Sequence, residues 1–221
     1  MTTRLVEVRQ KVLKQNDVVA RELREAFRRA GVFVVSMVSS PGAGKTMLLE
    51  RTLAALGRDC RVAALVGDLA TDNDAQRLAR SGAPVRQITT GTVCHLEAEM
   101  VRAALGDWRL DELDLLFVEN VGNLVCPSSY DLGEDLRLVL FSVTEGEDKP
   151  LKYPTIFNTA DAAVITKSDL AAAVEFDGTA ARRNILSVRP GMTILELSAK
   201  TGAGMADWLA WLRARAVEAR A

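Results

Sequence analysis

The chain has 221 residues, of which 48% are hydrophobic, enough to bury a sizeable core and sufficient for one α/β domain. Its formal net charge is −1 and its basic residues form no blocks, so it lacks the charge pattern of a nucleic-acid binder or of a protein held at a lipid surface. No apolar run reaches membrane-spanning length and the charged N-terminus lacks a signal-peptide core, which points to the cytoplasm, where Cys60, Cys94 and Cys126 read as core, metal-ligand or redox residues rather than a disulfide framework.

In chain order, Leu5, Val8, Val12, Val19, Leu23 and Phe27 keep helical spacing and predict an amphipathic helix from about Leu5 to Ala30, ended by Gly31. Strand-like apolar runs follow at Val32 to Met37, Val62 to Val66, Val85 to Ile88, Leu115 to Val118, Leu138 to Val143, Ala162 to Ile165 and Thr193 to Leu197. Helical patterns separate most of them. This alternation predicts an α/β fold: a mostly parallel sheet with helices on both faces, in three layers, and ligand sites at the carboxyl ends of the strands. We expect the N-terminal helix, residues 1–30, to precede a nucleotide-binding domain over residues 31–221. The last helix, from about Met205, carries Met205, Trp208, Leu209 and Leu212 as a core-facing stripe. The longest irregular stretch, Glu119 to Asp135, is too long for an idle connection and is expected to be functional.

Ser39-Ser40-Pro41-Gly42-Ala43-Gly44-Lys45-Thr46 lies between the first central strand and a helical pattern, the context of a phosphate-binding P-loop. Ser40, Pro41, Gly42, Ala43 and Gly44 would form the cradle, whose backbone N–H groups and following helix start present partial positive charge to a polyphosphate. Lys45 would reach the β/γ-phosphates and the Thr46 hydroxyl would ligate Mg²⁺. Ser39 stands where the motif usually opens with glycine. Downstream, Leu115 to Val118 ends in Glu119, with Gly122 three residues on, where GTPases usually have Asp-x-x-Gly. The longer glutamate favours an outer-sphere or mobile role beside Mg²⁺. Asp68 is the other Mg²⁺ candidate, with Asp72 and Asp74 farther along its loop. Lys45, Asp68 and Glu119 form the expected catalytic set.

Thr166-Lys167-Ser168-Asp169 and Ser198-Ala199-Lys200, each after a strand, point to guanine. The Asp169 carboxylate can accept both N1–H and N2–H of that base, the Lys167 stem can pack on its face, and the Ala199 N–H can reach O6. Thr166 replaces the more usual asparagine and keeps a hydroxyl for bracing the loop. GTP and GDP with Mg²⁺ are therefore the expected ligands.

A second constellation is Cys94, His95 (the only histidine) and Cys126. Two thiolates and an imidazole suit nickel, zinc or copper(I). Adjacent residues of a regular helix point about 100° apart, so Cys94 and His95 can share one ion only at an irregular helix start. Three ligands leave a tetrahedral ion incomplete, which calls for water, an acidic ligand or a second subunit across a two-fold axis, the last being favoured. On spacing alone, a buried Cys94 beside an unrelated His95 stays open. Pro127 biases Cys126 toward extended backbone. Because Cys126 lies seven residues beyond Glu119, a loop that senses phosphate would also carry a metal ligand.

Gly91-Thr92-Val93-Cys94-His95-Leu96-Glu97-Ala98, Glu119-Asn120-Val121-Gly122-Asn123-Leu124-Val125-Cys126-Pro127 and Thr144-Glu145-Gly146-Glu147-Asp148-Lys149-Pro150 resemble the HypB family, the nickel-incorporation GTPases of hydrogenase maturation. The resemblance implies a dimerising P-loop GTPase with weak hydrolysis, on the order of 10⁻⁴ to 10⁻² per second as for unassisted GTPases. It further implies nickel insertion into a nickel–iron hydrogenase large subunit, with an accessory zinc protein of the HypA type as partner. Cys94, His95 and Cys126 match the family's metal ligands, Glu119-x-x-Gly122 becomes the expected variant, and Lys149 is implied near the nucleotide or dimer contact. Residues Met1 to Ala30 hold neither cysteine nor histidine, so nickel storage there is not expected. Two other readings stay open: a urease-type nickel GTPase, and a metal-bridged dimerisation module that binds nucleotide without turnover.

Overall fold

The structure, a computed structural model, describes residues 2–68 and 73–219, with side chains from residue 11 onward except at 73. Asp72, and the Leu5 and Val8 side chains of the first helical stripe, lie outside the described residues. Along the chain the elements are α1 (Thr2–Ala30), β1 (Phe33–Ser39), α2 (Lys45–Leu56), β2 (Val62–Asp68), α3 (Asn73–Ala79), β3 (Val85–Thr89), α4 (Ala98–Leu105) and β4 (Leu115–Glu119). They continue with β5 (Leu136–Ser142), α5 (Lys149–Lys152), α6 (Pro154–Thr159), β6 (Ala162–Thr166), α7 (Gly178–Val188), β7 (Thr193–Glu196) and α8 (Met205–Glu218).

Each expected apolar run forms a strand, and the seven lie in one sheet of order β3-β2-β4-β1-β5-β6-β7. The sheet is parallel at every pairing, so the expected "mostly parallel" becomes wholly parallel. Parallel strands need crossovers that cover both faces, which is why β1, Phe-Val-Val-Ser-Met-Val-Ser, is buried at every position instead of alternating. On one face Phe33, Val35 and Met37 pack with Leu48, Leu49 and Leu53 of α2 and with Trp208 and Leu212 of α8. Trp208 is fully buried, and its indole N–H donates to Thr52 Oγ1 at 2.9 Å, satisfying the one polar atom that burial would strand.

On the opposite face Val34 packs with Val19, Leu23 and Phe27 of α1 and with Val101 and Leu105 of α4. Farther along, Val38 and Phe141 meet Ile156 and Phe157 of α6 and Ala181 and Ile185 of α7. The C-terminal part of the α1 stripe, Val19, Leu23 and Phe27, therefore belongs to the core of the sheet while Val12 is exposed, and truncating fully buried Phe27 to alanine would cost about 3–5 kcal/mol. Among the described residues no helix is long and apolar enough to cross a membrane. The register sets Met37 of β1 level with Glu119 of β4 and Ser142 of β5 level with Thr166 of β6, which gathers the loops after these strands at one end of the sheet.

Candidate nucleotide and metal site

That end holds a cavity of about 650 Å³. Pro41, Gly42, Gly44, Lys45 and Thr46 line it from the P-loop, Asp68 from β2, Glu119 and Gly122 from β4 and its loop, and Thr166, Lys167, Asp169, Ser198, Ala199 and Lys200 from the far side. Of the residues expected to bind nucleotide, Ser40 and Ala43 are absent from the lining, Ala43 being buried beneath the loop. Asp74 of α3 joins the wall.

The P-loop turns into α2 through Gly44, which caps the helix at φ 94°. Gly122 lies against it so closely that a Cβ there would fall 2.9 Å from Pro41 Cα, so the loop after β4 touches the P-loop only because this residue has no side chain. Ser39, the departure from the usual glycine, is fully buried. Its hydroxyl accepts from Lys45 Nζ at 2.8 Å and donates to the Ser40 carbonyl at 2.6 Å. The serine thus holds the P-loop lysine by a bond that glycine could not make. Burial pushes the Lys45 pKa below its usual range, opposed by the carboxylates of Glu119, Asp74 and Glu145.

Glu119 is buried and paired. It is 3% exposed, and its Oε1 accepts from Thr46 Oγ1 at 2.8 Å, so the expected Mg²⁺ hydroxyl and the β4 carboxylate are paired with each other. Burial raises the Glu119 pKa to about 7, against the pull of the Lys45 ammonium and the Thr46 hydroxyl. Thr46, Asp68 and Glu119 line one cavity wall and offer the oxygen donors that a hard divalent cation takes. Across the cavity, Thr166 donates to the Ala43 carbonyl at 2.6 Å, tying the P-loop to the β6 loop through the hydroxyl that sequence reading assigned to bracing. Lys167 adopts φ 57°, a left-handed conformation costly for a residue with a Cβ and held here by the surrounding loops. Asp169 is oriented by Ser198, whose hydroxyl donates to Oδ1 at 2.5 Å.

Cys94, His95 and Cys126 come together, one ligand atom from each lying within 4.8 Å of the others. The two sulfurs are 3.0 Å apart and are not joined in a disulfide. Cys94 and His95 sit in the bend ahead of α4, whose N-cap is Glu97, so the irregular backbone their adjacency demands is supplied before the helix begins. Neither His95 ring nitrogen has a hydrogen-bond partner among the described residues, and the nearby Glu97 Oε1, 3.4 Å from Nε2, makes only an electrostatic contact. Burial lowers the His95 pKa, which favours the neutral imidazole a metal requires, while Glu97 opposes the shift. The Tyr130 ring lies over the imidazole at 3.9 Å between centroids. The expectation that Pro127 would bias Cys126 toward extended backbone is corrected: Cys126 opens a 3₁₀ turn over Cys126–Ser129, which overrides the steric preference of the residue before proline.

Sequence reading missed two asparagines between these sites. Asn120, 2% exposed and lining the cavity beside Glu119, accepts from the Leu96 N–H at 3.0 Å. Asn123 donates to the Cys94 carbonyl at 3.3 Å. The loop after β4 therefore grips the chain on both sides of His95. The signal was two amides inside the Glu119-to-Cys126 segment, but their partners lie in a distant loop.

A seven-stranded parallel sheet with a glycine-rich loop between its central strand and the next helix defines a P-loop nucleotide-binding protein. Residues 33–196 match the family model for CobW/HypB/UreG, nucleotide-binding domain, and the chain belongs to that family. It is 47% identical over 222 residues to a hydrogenase maturation factor HypB of Azotobacter vinelandii, covering 99% of this chain and 73% of the relative. It is 45% identical over 199 residues to a hydrogenase/urease maturation factor HypB of Helicobacter hepaticus, covering 88% of this chain and 81% of the relative. A crystal structure of HypB from Helicobacter pylori in complex with nickel superposes with a TM-score of 0.87 at 42% identity, over 92% of this chain and 96% of that one.

Proposed function

We propose that this protein hydrolyses GTP slowly and uses the nucleotide state to control nickel held by Cys94, His95 and Cys126, for insertion during maturation of a nickel–iron hydrogenase. The observation that carries the reading is the continuity of the loop after β4. It begins at Glu119, bonded to Thr46, touches the P-loop at Gly122, and reaches Cys126, 3.0 Å from the Cys94 sulfur. A triphosphate with Mg²⁺ draws on Thr46 and on the Glu119 carboxylate, so its arrival disturbs the start of a segment whose end is a metal ligand. Asp169, held by Ser198, would select guanine, with Lys167 and the Ala199 N–H beside it. Lys45, Asp68 and Glu119 would act on the phosphates and Mg²⁺, and the absence of a glutamine placed to orient water among the described lining residues is the reason to expect slow turnover.

The sulfur and imidazole donors suit nickel and zinc equally well in kind, so zinc is a competitor for the same site. Three ligands from one chain fit a site completed by a second copy across a two-fold axis, and a homodimer is part of this proposal. An accessory zinc protein of the HypA type and the hydrogenase large subunit are the proposed partners, the cytoplasm the proposed location. The relative named for hydrogenase and urease alike makes urease a second candidate target.

The test is a nickel titration of the purified protein in GDP and in a non-hydrolysable GTP analogue, with oligomeric state followed by light scattering. Nickel affinity is expected to differ between the two states, and Cys126→Ala to abolish the difference. A nickel isotherm indifferent to nucleotide would refute the coupling; dimerisation without phosphate release would leave only a nucleotide-binding module.

A further inference from the structure

Asn16 is the one buried polar side chain of α1 among the described residues, 6% exposed. Its amide makes two hydrogen bonds that run to different segments. Nδ2 donates to the Asp131 carbonyl at 2.8 Å, and Oδ1 accepts from the Ala98 N–H at 2.8 Å. A carbonyl only accepts and an N–H only donates, so the partners fix which way the amide points. Ala98 is the first residue of α4 and follows His95 by three positions; Asp131 follows Cys126 by five and Tyr130 by one. One side chain therefore joins the chain that carries Cys94 and His95 to the chain that carries Cys126 and the tyrosine stacked on His95.

The rest of α1 reinforces the contact. Arg24 donates to Asp131 Oδ1 at 2.6 Å, which also accepts from the Gly133 N–H at 2.8 Å. Gly133 passes so near the helix that a Cβ would come within 2.8 Å of the Ala20 carbonyl oxygen. The segment after Cys126 is thus held against α1 by a buried amide, an ion pair and direct backbone approach. None of these residues lines the nucleotide cavity.

We propose that Asn16 is a positioning residue for the Cys94, His95 and Cys126 site, making α1 the strut that sets the spacing of its two halves. This rests on the metal reading above. The amide also satisfies a first-turn N–H of α4 that would otherwise be orphaned, so its loss releases both halves at once. Asn16→Asp separates the two bonds. A carboxylate still accepts from the Ala98 N–H but faces the Asp131 carbonyl with no proton to donate, which loosens the Cys126 half alone.

The experiment measures nickel affinity, the thiolate-to-nickel charge-transfer absorption, GDP affinity and urea stability for the full chain, Asn16→Ala and Asn16→Asp. Both variants are expected to bind nickel about tenfold more weakly, as when an outer partner of a metal ligand is removed, with an altered charge-transfer band and unchanged GDP affinity. Lower stability with the parent's nickel isotherm and band overturns the proposal. So does parallel loss of nickel and GDP binding, because Asn16 would then support the whole fold. Failure of the metal reading is distinguishable: the parent's own nickel isotherm would be indifferent to Cys94→Ala and Cys126→Ala.

Discussion

Replacing Glu119 with glutamine changes the charge of the buried site while keeping an oxygen to accept from Thr46 Oγ1. The native pKa of Glu119 is about 7, against 4.5 for the free side chain. A carboxyl whose pKa rises on folding holds its proton more tightly in the native state, so its contribution to stability is least unfavourable at low pH and worsens as pH climbs from 4.5 to 7. Integrating the linkage gives a cost of under about 1 kcal/mol at pH 5 and about 3 kcal/mol at pH 8, with the attraction of Lys45 already inside the shifted value. Glu119→Gln carries no such cost. In urea denaturation without nucleotide, the variant should gain about 2 kcal/mol relative to the parent between pH 5 and pH 8, most of it before pH 7. A stability difference that does not change with pH would refute the reasoning, because it would mean that Glu119 does not titrate between the folded and unfolded states in this range. Since the same carboxylate is proposed to face Mg²⁺, the stabilised variant should also show weaker Mg²⁺ dependence of GTP binding.

Ser39→Gly removes the hydroxyl that holds Lys45, a bond of about 1–2 kcal/mol that incoming phosphates must replace. GDP affinity by calorimetry should rise severalfold, and an unchanged or weaker affinity would contradict this account of the serine. Asp169→Ala removes the proposed charged two-point contact to the base and should weaken GTP and GDP at least about tenfold; equal GDP affinity in variant and parent would sink the guanine assignment. Thr166→Val leaves the Ala43 carbonyl without its 2.6 Å partner and should lower stability by about 1–3 kcal/mol in urea, whereas a parent-like midpoint would mean the bracing bond contributes nothing.

The sheet was legible because its central strands are buried on both faces and so read as continuous apolar runs, and because helical patterns separate most of the strands. That the P-loop, the loops after β6 and β7 and the trio of Cys94, His95 and Cys126 would each come together was legible because phosphate, base and soft-metal chemistry each restrict the residue types that could serve, and the structure brings the first two to one cavity and clusters the third. What the sequence withheld were polar contacts between distant loops. Asn16 looks like an interruption of a hydrophobic stripe until its two partners, 82 and 115 residues away, are seen. Asn120 and Asn123 carry no periodicity, and nothing near them in the chain announces Leu96 and Cys94. Ser39 reads as a defect in the motif because its partner, six residues on, meets it only once the loop has wrapped round. Cys126 went the other way: the steric rule about residues before proline states a preference, and the 3₁₀ turn over Cys126–Ser129 overrides it.

The groups proposed to hold a Mg²⁺-nucleotide are paired within the protein: Lys45 rests on Ser39, Thr46 on Glu119, and Asp169 takes the Ser198 hydroxyl. An unmatched buried polar group costs about 1–3 kcal/mol, so these pairings stabilise the loops that carry them, and binding of the proposed nucleotide would exchange bonds rather than only add them. The exchanges have unequal consequences. In the proposed reading Lys45 would turn within the P-loop, and Asp169 would keep Ser198 while its other lone pairs accepted from the base. Glu119 differs because its partner is the hydroxyl a metal ion would claim. If Thr46 turned to such an ion, Glu119 would either follow it or relinquish the bond, and either outcome would pull on the residue next to Asn120, which holds the Leu96 N–H beside His95. The same buried carboxylate that costs the protein stability as pH climbs to 7 is, in the proposed mechanism, the point at which phosphate chemistry would reach the sulfur and imidazole ligands.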